Sequence, residues 1–216
     1  TVAFTGMNDK ADEAGFVAVY PEGTGLNPLL TWNAGGLTPQ FAAAKPNDVE
    51  YLVRVLDDLA TVVKVDARRV YATGMSNGGM MCYTLANEQS GRIAAIAPVA
   101  GTMTMDRPQP ARPMPVMHFH GVDDAVVPFL GLTESGPAFI RFKSVDATIA
   151  AWVEADGCPK APQVRDEPSG IRDPSDSSRG NGARLADDGT KVVRKTYGPG
   201  RGGSEVILIV IEGGGH

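Results

Sequence analysis

Gly74-Met75-Ser76-Asn77-Gly78 sets a serine between small residues at the point where an apolar run gives way to a helical pattern. A serine hydroxyl is a weak nucleophile until a base removes its proton. A sharp strand-to-helix turn with small flanks holds it where a base and a substrate can reach it. The Asn77 N–H, at the start of the following helix, points to where an oxyanion would form. The chemistry implied is acyl transfer through a covalent acyl-enzyme. In a chain with 26 glycines the five-residue pattern alone fits an ordinary glycine-rich turn equally well. Context favours the nucleophile: Val70 to Thr73 is β-prone, and Met80, Met81, Tyr83, Thr84 and Leu85 continue at helical spacing.

The chain has three histidines, so candidates for the base are few. His118 and His120 flank Phe119 at the end of an apolar run, whereas His216 follows Gly213-Gly214-Gly215 after the final one. A glycine run has no side chains to pack, but it lets the backbone bring one residue against another loop, so His216 is the expected base. Where a serine stands on such an elbow its partners follow in the order nucleophile, acid, histidine. The Asp123-Asp124 turn beyond His120 meets that order, although paired aspartates taken alone also suit a solvated turn. A metal-dependent hydrolase built on His118, His120 and Asp124 is the rival reading. Its spacing fails, because no Asp stands two residues after His120 and no third histidine follows closely. A non-catalytic binding domain on the same scaffold is the other alternative.

The elements that must position these groups follow from periodicity. With 216 residues, 43% of them apolar, one large domain over 1–216 is expected. A net charge of −5 and no long basic run argue against nucleic acid or an anionic membrane as partner. The longest apolar run, Val206 to Ile211, is too short to span a bilayer and reads as a buried strand. In order, the pattern predicts a helix over Thr5 to Ala14, a buried strand over Phe16 to Tyr20, and a long loop from Glu22 to Pro46. Trp32 in that loop is either a substrate contact or an anchor to the core. Asn47 and Glu50 form a capping box for a helix striped by Val49, Leu52, Val53, Leu56 and Leu59. Strands are expected at Val70 to Thr73, Ile93 to Val99, Met114 to Phe119, Val192 to Tyr197 and Glu205 to Ile211. Ser144 starts a helix that stops at Gly157, and Pro159 to Thr190 reads as an exposed polar excursion. Cys82 reads as a small apolar core residue and Cys158 as part of a turn, and a bridge between them is left open. Helices alternating with apolar strands indicate an α/β fold with a mostly parallel sheet.

Five blocks in order carry a family resemblance: Gly6-Met7-Asn8 through Val19-Tyr20-Pro21, Trp32-Asn33-Ala34-Gly35-Gly36, Gly74 to Met80, His120-Gly121-Val122-Asp123-Asp124 with Val127-Pro128, and Gly213 to His216. Together they resemble the polyhydroxybutyrate depolymerase and feruloyl esterase family of secreted α/β-hydrolases. The resemblance implies Ser76 as nucleophile, Asp124 as the acid by its position four after His120, and His216 as base. It also implies feruloyl, acetyl or hydroxyalkanoate esters as substrates, no metal or organic cofactor, and an extracellular location. Three departures stand out. Leu37 and Thr38 replace residues that are often cysteine in the family, a cysteine expected beyond Tyr197 is missing, and the stretch around Asp166 to Asp188 is longer than usual. The family also has a strand ending in His-Gly before the first helix, which supplies a second oxyanion donor. The expectation is therefore that this chain is a fragment lacking N-terminal strands and the extreme C-terminus.

Overall fold

The computed structural model describes residues 5–26, 29–36, 46–132, 141–169 and 188–216. The first helix, α1 (Met7–Ala14), ends at Gly15, whose φ of 71° turns the chain out of the helix. The apolar run from Phe16 to Tyr20 then departs from expectation. It adopts no strand, and Phe16, Val17 and Val19 are 44%, 60% and 44% exposed. A β-prone segment becomes a strand only when another strand supplies its hydrogen-bond partners, and among the described residues none lies beside it. The loop expected next contains a small antiparallel hairpin of β1 (Thr24–Leu26) and β2 (Leu29–Thr31). Residues 37–45, which include Leu37 and Thr38, and most of the long stretch before Asp188 lie outside the described residues.

Asn47 caps α2 (Asp48–Val62) by accepting the Glu50 N–H at 3.1 Å. The Glu50 carboxylate does not return the bond. It pairs instead with Arg54, one turn on, so only half of the expected capping box forms. From here helices and strands alternate: β3 (Tyr71–Met75), α3 (Asn77–Glu88), β4 (Ala95–Val99), β5 (Val116–Gly121) and α4 (Val145–Asp156). Ser144 caps α4 through its hydroxyl, and Gly157 closes it in the left-handed region. Three further strands, β6 (Gln163–Glu167), β7 (Lys191–Tyr197) and β8 (Val206–Glu212), complete the sheet.

The six-stranded sheet has the order β3-β4-β5-β8-β7-β6. The first four strands are parallel, and β7 and β6 extend the sheet antiparallel. Val206 to Val210 is buried throughout, as a strand covered on both faces must be. Strand β5 alternates instead, and His118 and His120 share one of its faces. Helix α3 is buried from Gly79 to Ala86, and α4 contributes Val145, Ile149, Trp152 and Val153 to the same core. Strand β6 interrupts the expected polar excursion and carries no apolar signature, because Gln-Val-Arg-Asp-Glu is an edge strand exposed along nearly its whole length. Its charges pair with one another and with Lys191 of β7, which blunts an open edge.

Helix α3 seats on the sheet through glycine. A Cβ on Gly79 would stand 3.0 Å from the Val99 carbonyl oxygen and 3.1 Å from that of Gly74. A Cβ on Gly101 would overlap the Ser76 carbonyl outright, whereas one on Gly91 would meet nothing. Gly101→Ala should therefore destabilise the protein by about 1–3 kcal/mol through overpacking. Gly91→Ala should leave stability unchanged or slightly raised. Urea midpoints for the two variants check this, and equal midpoints would show that the elbow has slack.

Candidate active site

Strands β3, β5 and β8 run parallel, so their C-terminal ends open on the same edge of the sheet. Ser76 follows β3, the Asp123-Asp124 turn follows β5, and His216 follows β8. Such an edge is where α/β sheets build their sites.

Ser76 stands at φ 56° and ψ −121°, a backbone conformation that L-residues adopt only under constraint. Its N–H donates to the Val99 carbonyl at 2.8 Å, and its own carbonyl accepts the Met80 N–H at 3.0 Å, opening α3. The two glycines of the motif do different work. A Cβ on Gly74 would collide with the Gly78 backbone at 2.6 Å. One on Gly78 would find nothing closer than the Trp32 indole nitrogen at 4.0 Å. Asn77 is the first residue of α3, so its N–H is one of the four that have no intrahelical acceptor.

The Asn77 side chain has a role that the sequence does not announce. Its carbonyl accepts the Trp32 N–H at 2.6 Å and its amide donates to the Trp32 carbonyl at 3.2 Å. The rest of that loop is tied down by Asp48, which accepts the Asn33 N–H, and by Thr84 and Thr104, which both donate to the Ala34 carbonyl. Polar side chains therefore anchor the loop to the elbow. Trp32 is half-buried and stacks on Tyr51 with ring centroids 6.4 Å apart.

The glycine tail folds back from β8 across the end of β5. The carbonyls of Gly214 and Gly215 lie where a side chain on Gly121 would stand, and Gly214 accepts the Asp123 N–H at 2.9 Å. This path brings His216 Nδ1 to 2.8 Å from Asp124 Oδ2. Asp123 points into solvent while Asp124 is 4% exposed, so the turn itself separates the two aspartates. Asp124 Oδ1 accepts the Val126 and Val127 N–H groups at 2.8 Å each. Burial pushes the Asp124 carboxyl up, but hydrogen bonds from His216, Val127 and Val126 outweigh it and hold the group below the usual carboxylate range.

His118 and His120, the ligands of the rival metal reading, are committed elsewhere. His118 Nδ1 meets the Tyr83 hydroxyl at 2.8 Å, and His118 Nε2 meets His120 Nδ1 at 3.0 Å. His120 Nε2 meets the Val127 carbonyl at 2.8 Å. All four ring nitrogens are engaged by protein groups, which leaves none to coordinate a metal. Tyr83 is the partner that sequence reasoning missed, since it lies on a different element. The two cysteines are separate buried thiols, and burial pushes Cys82 up to about 12.

The model of the prolyl oligopeptidase family matches residues 12–111, a span that includes the elbow but neither Asp124 nor His216. The putative esterase NocK of Nocardia uniformis subsp. tsuyamanensis is 30% identical over 225 residues, covering 98% of this chain and 59% of that protein. Feruloyl esterase B of Piromyces equi is 26% identical over 211 residues, covering 94% of this chain and 34% of that protein. The solved acetyl xylan esterase from Aspergillus awamori superposes with a TM-score of 0.61 at 14% identity, over 97% of this chain and 76% of its own. The chain has the α/β-hydrolase fold and is similar to these esterases. It spans about three-fifths or less of the length of the two sequence relatives. Among its described residues, no helix is long and apolar enough to cross a membrane.

The buried histidines of this fold make its stability depend on pH. Burial lowers His118 from its ordinary 6.5 to about 3. Between those values the unfolded chain binds the proton that the folded chain refuses. The contribution is therefore complete above pH 6.5 and is lost as pH falls, by up to about 1.4 kcal/mol per pH unit. Asp124 acts with the same sign at lower pH. Asp156, whose carboxyl burial pushes up, acts with the opposite sign. Comparing unfolding free energies of wild type and His118→Gln from pH 7 to pH 4.5 isolates the histidine. The wild type should lose stability more steeply, and parallel curves would refute this.

Proposed function

We propose that this chain is a serine carboxylic-ester hydrolase with Ser76 as nucleophile, His216 as base, Asp124 as the acid that orients it, and the Asn77 N–H as an oxyanion donor. The observation that carries the reading is the 2.8 Å contact between His216 Nδ1 and Asp124 Oδ2. A carboxylate only accepts, so Nδ1 carries the proton and Nε2 keeps its lone pair for a serine hydroxyl. His216 removes the Ser76 proton, the oxygen attacks the ester carbonyl, and the resulting oxyanion is held by the N–H at the start of α3. The protonated imidazole then gives its proton to the departing alcohol. Water repeats the sequence on the acyl-enzyme and releases the acid. We assign the substrates to acyl esters of the feruloyl and acetyl kind, in keeping with the similarity to a feruloyl esterase and with the family the sequence resembles. That resemblance also supports an extracellular location.

Ser76→Ala should abolish hydrolysis of a short-chain aryl ester, with a loss on the order of a millionfold in kcat, and should prevent labelling by a fluorophosphonate probe. Thermal unfolding should stay cooperative, because Ser76 is not part of the core. Residual activity within tenfold of wild type would sink the serine mechanism.

The two aspartates give a second test. Asp124→Asn should cost about 10⁴ in kcat by removing the acceptor that fixes the His216 tautomer. Asp123→Asn, on the solvent side of the same turn, should cost less than about fivefold, in line with surface substitutions elsewhere. The reverse ranking in steady-state kinetics would reassign the acid.

A further inference from the structure

We propose that His120 is a positioning residue for this site, holding the acid through a one-way chain of buried hydrogen bonds that begins at Tyr83. The proposal rests on the reading of Ser76, Asp124 and His216 as a triad. Its starting point is the Val127 carbonyl, 2.8 Å from His120 Nε2. A carbonyl can only accept, so His120 Nε2 carries the hydrogen. Burial holds His120 neutral, so its Nδ1 is bare and must accept. The group facing that nitrogen is His118 Nε2, at 3.0 Å, which therefore donates. His118 is neutral in its turn, and its Nδ1 accepts the Tyr83 hydroxyl proton at 2.8 Å. Each tautomer is dictated by its neighbour, and every donor along Tyr83, His118 and His120 points toward the acid.

The chain ends where it matters for catalysis. His120 Nε2 also lies 3.4 Å from Asp124 Oδ2, the same oxygen that receives His216 Nδ1 at 2.8 Å. The other oxygen, Oδ1, is fixed by two N–H groups of its own turn. Val127 is held at both ends, its N–H on Asp124 Oδ1 and its carbonyl on His120. The acid's turn is thereby bolted to β5 by an imidazole as well as by its own backbone.

Neutrality is part of the device. A protonated His120 would compete with His216 for Asp124 Oδ2. Its Nδ1 cannot take a proton while the His118 N–H occupies it, and His118 Nδ1 cannot while the Tyr83 hydroxyl occupies it. The ionisable groups facing the pair are Tyr83 and, behind it, Cys82 from α3, Asp124 from the turn after β5, and His216 from the tail. The edge of the Phe129 ring closes against His120.

The test uses the whole chain with an aryl acetate. His120→Leu removes the donor, His120→Gln keeps an N–H at the corresponding position, and Tyr83→Phe removes the first donor without changing shape. His120→Leu should lower kcat by about 10- to 100-fold with KM within about threefold, as expected for loss of alignment rather than of substrate binding. His120→Gln should recover most of that loss. Tyr83→Phe should lower kcat by a smaller factor, about two- to fivefold, again at constant KM. A folded His120→Leu protein with kcat within twofold of wild type overturns the proposal, and so does a Gln variant no better than Leu at equal thermal midpoint. If His120→Leu does not fold, the decision passes to Tyr83→Phe, whose unchanged kcat overturns it. Ser76→Ala and His216→Ala run alongside. If those two keep activity, the triad reading has failed; if they are dead while the chain variants are unaffected, only the positioning role has failed.

Discussion

The strained backbone of Ser76 is the constraint on which the rest of the structure depends. A residue held at φ 56° and ψ −121° costs on the order of 1–3 kcal/mol and persists only where its surroundings over-determine it. Here they do so from three sides. The Ser76 N–H is fixed by β4 through Val99, its carbonyl by α3 through Met80, and Gly101 fills the space beneath with no side chain. Moving any one of these relaxes the serine toward an ordinary conformation, in which its hydroxyl would no longer stand clear of the helix. Burial of α3 from Gly79 to Ala86 supplies the free energy that keeps this arrangement closed.

The same helix reaches across toward the turn of Asp124. Tyr83 lies two turns beyond Ser76, with its ring between His118 and Trp152. The helix that opens at Ser76 therefore also carries the first donor of the hydrogen-bond chain that ends at the Val127 carbonyl, in the turn of Asp124. Buried histidines without partners would weaken the core, since each has two nitrogens to satisfy. Arranged head to tail they satisfy each other, with one hydroxyl at one end and one carbonyl at the other.

The elbow, α2, α3, α4 and β8 were legible in the sequence because their signals are self-contained: a glycine-flanked serine, a capping Asn47 or Ser144, a closing Gly157, an unbroken apolar run. The Phe16 to Tyr20 segment carries an equally good strand pattern and is not a strand, because pairing belongs to the neighbour as much as to the segment. Strand β6 fails in the opposite sense. It has no apolar face to reveal, and it pairs with β7 through backbone hydrogen bonds and exposed ion pairs. At the site, glycines before His216 announced a close approach, and the tail does fold over Gly121. The choice of Asp124 over Asp123 rested on family resemblance. The geometric difference between them, one carboxylate turned inward and one outward, is a property of the turn that residue type does not record. His118 and His120 were ambiguous for a related reason. Two histidines on one strand face suit a metal as well as a hydrogen-bond chain, and the group that decides, Tyr83, is 35 residues away.

Because the three groups sit on separate strand ends, their alignment is set by sheet register rather than by any local loop. Met75 pairs with Val99, Val99 with Phe119, and Gly121 with Ile211, so the ends of β3, β4, β5 and β8 are level. A slip of one residue between β5 and β8 would turn His118 and His120 to the opposite face and separate the Asp124 turn from the tail that brings His216. The buried face of β5 makes that slip costly, since it would expose Val116 and strand two imidazoles without partners. The polar chain beneath the Asp124 turn thus acts as a lock on register, and the hydrogen bond from His120 to Val127 is available only in the one alignment that also brings His216 to Asp124.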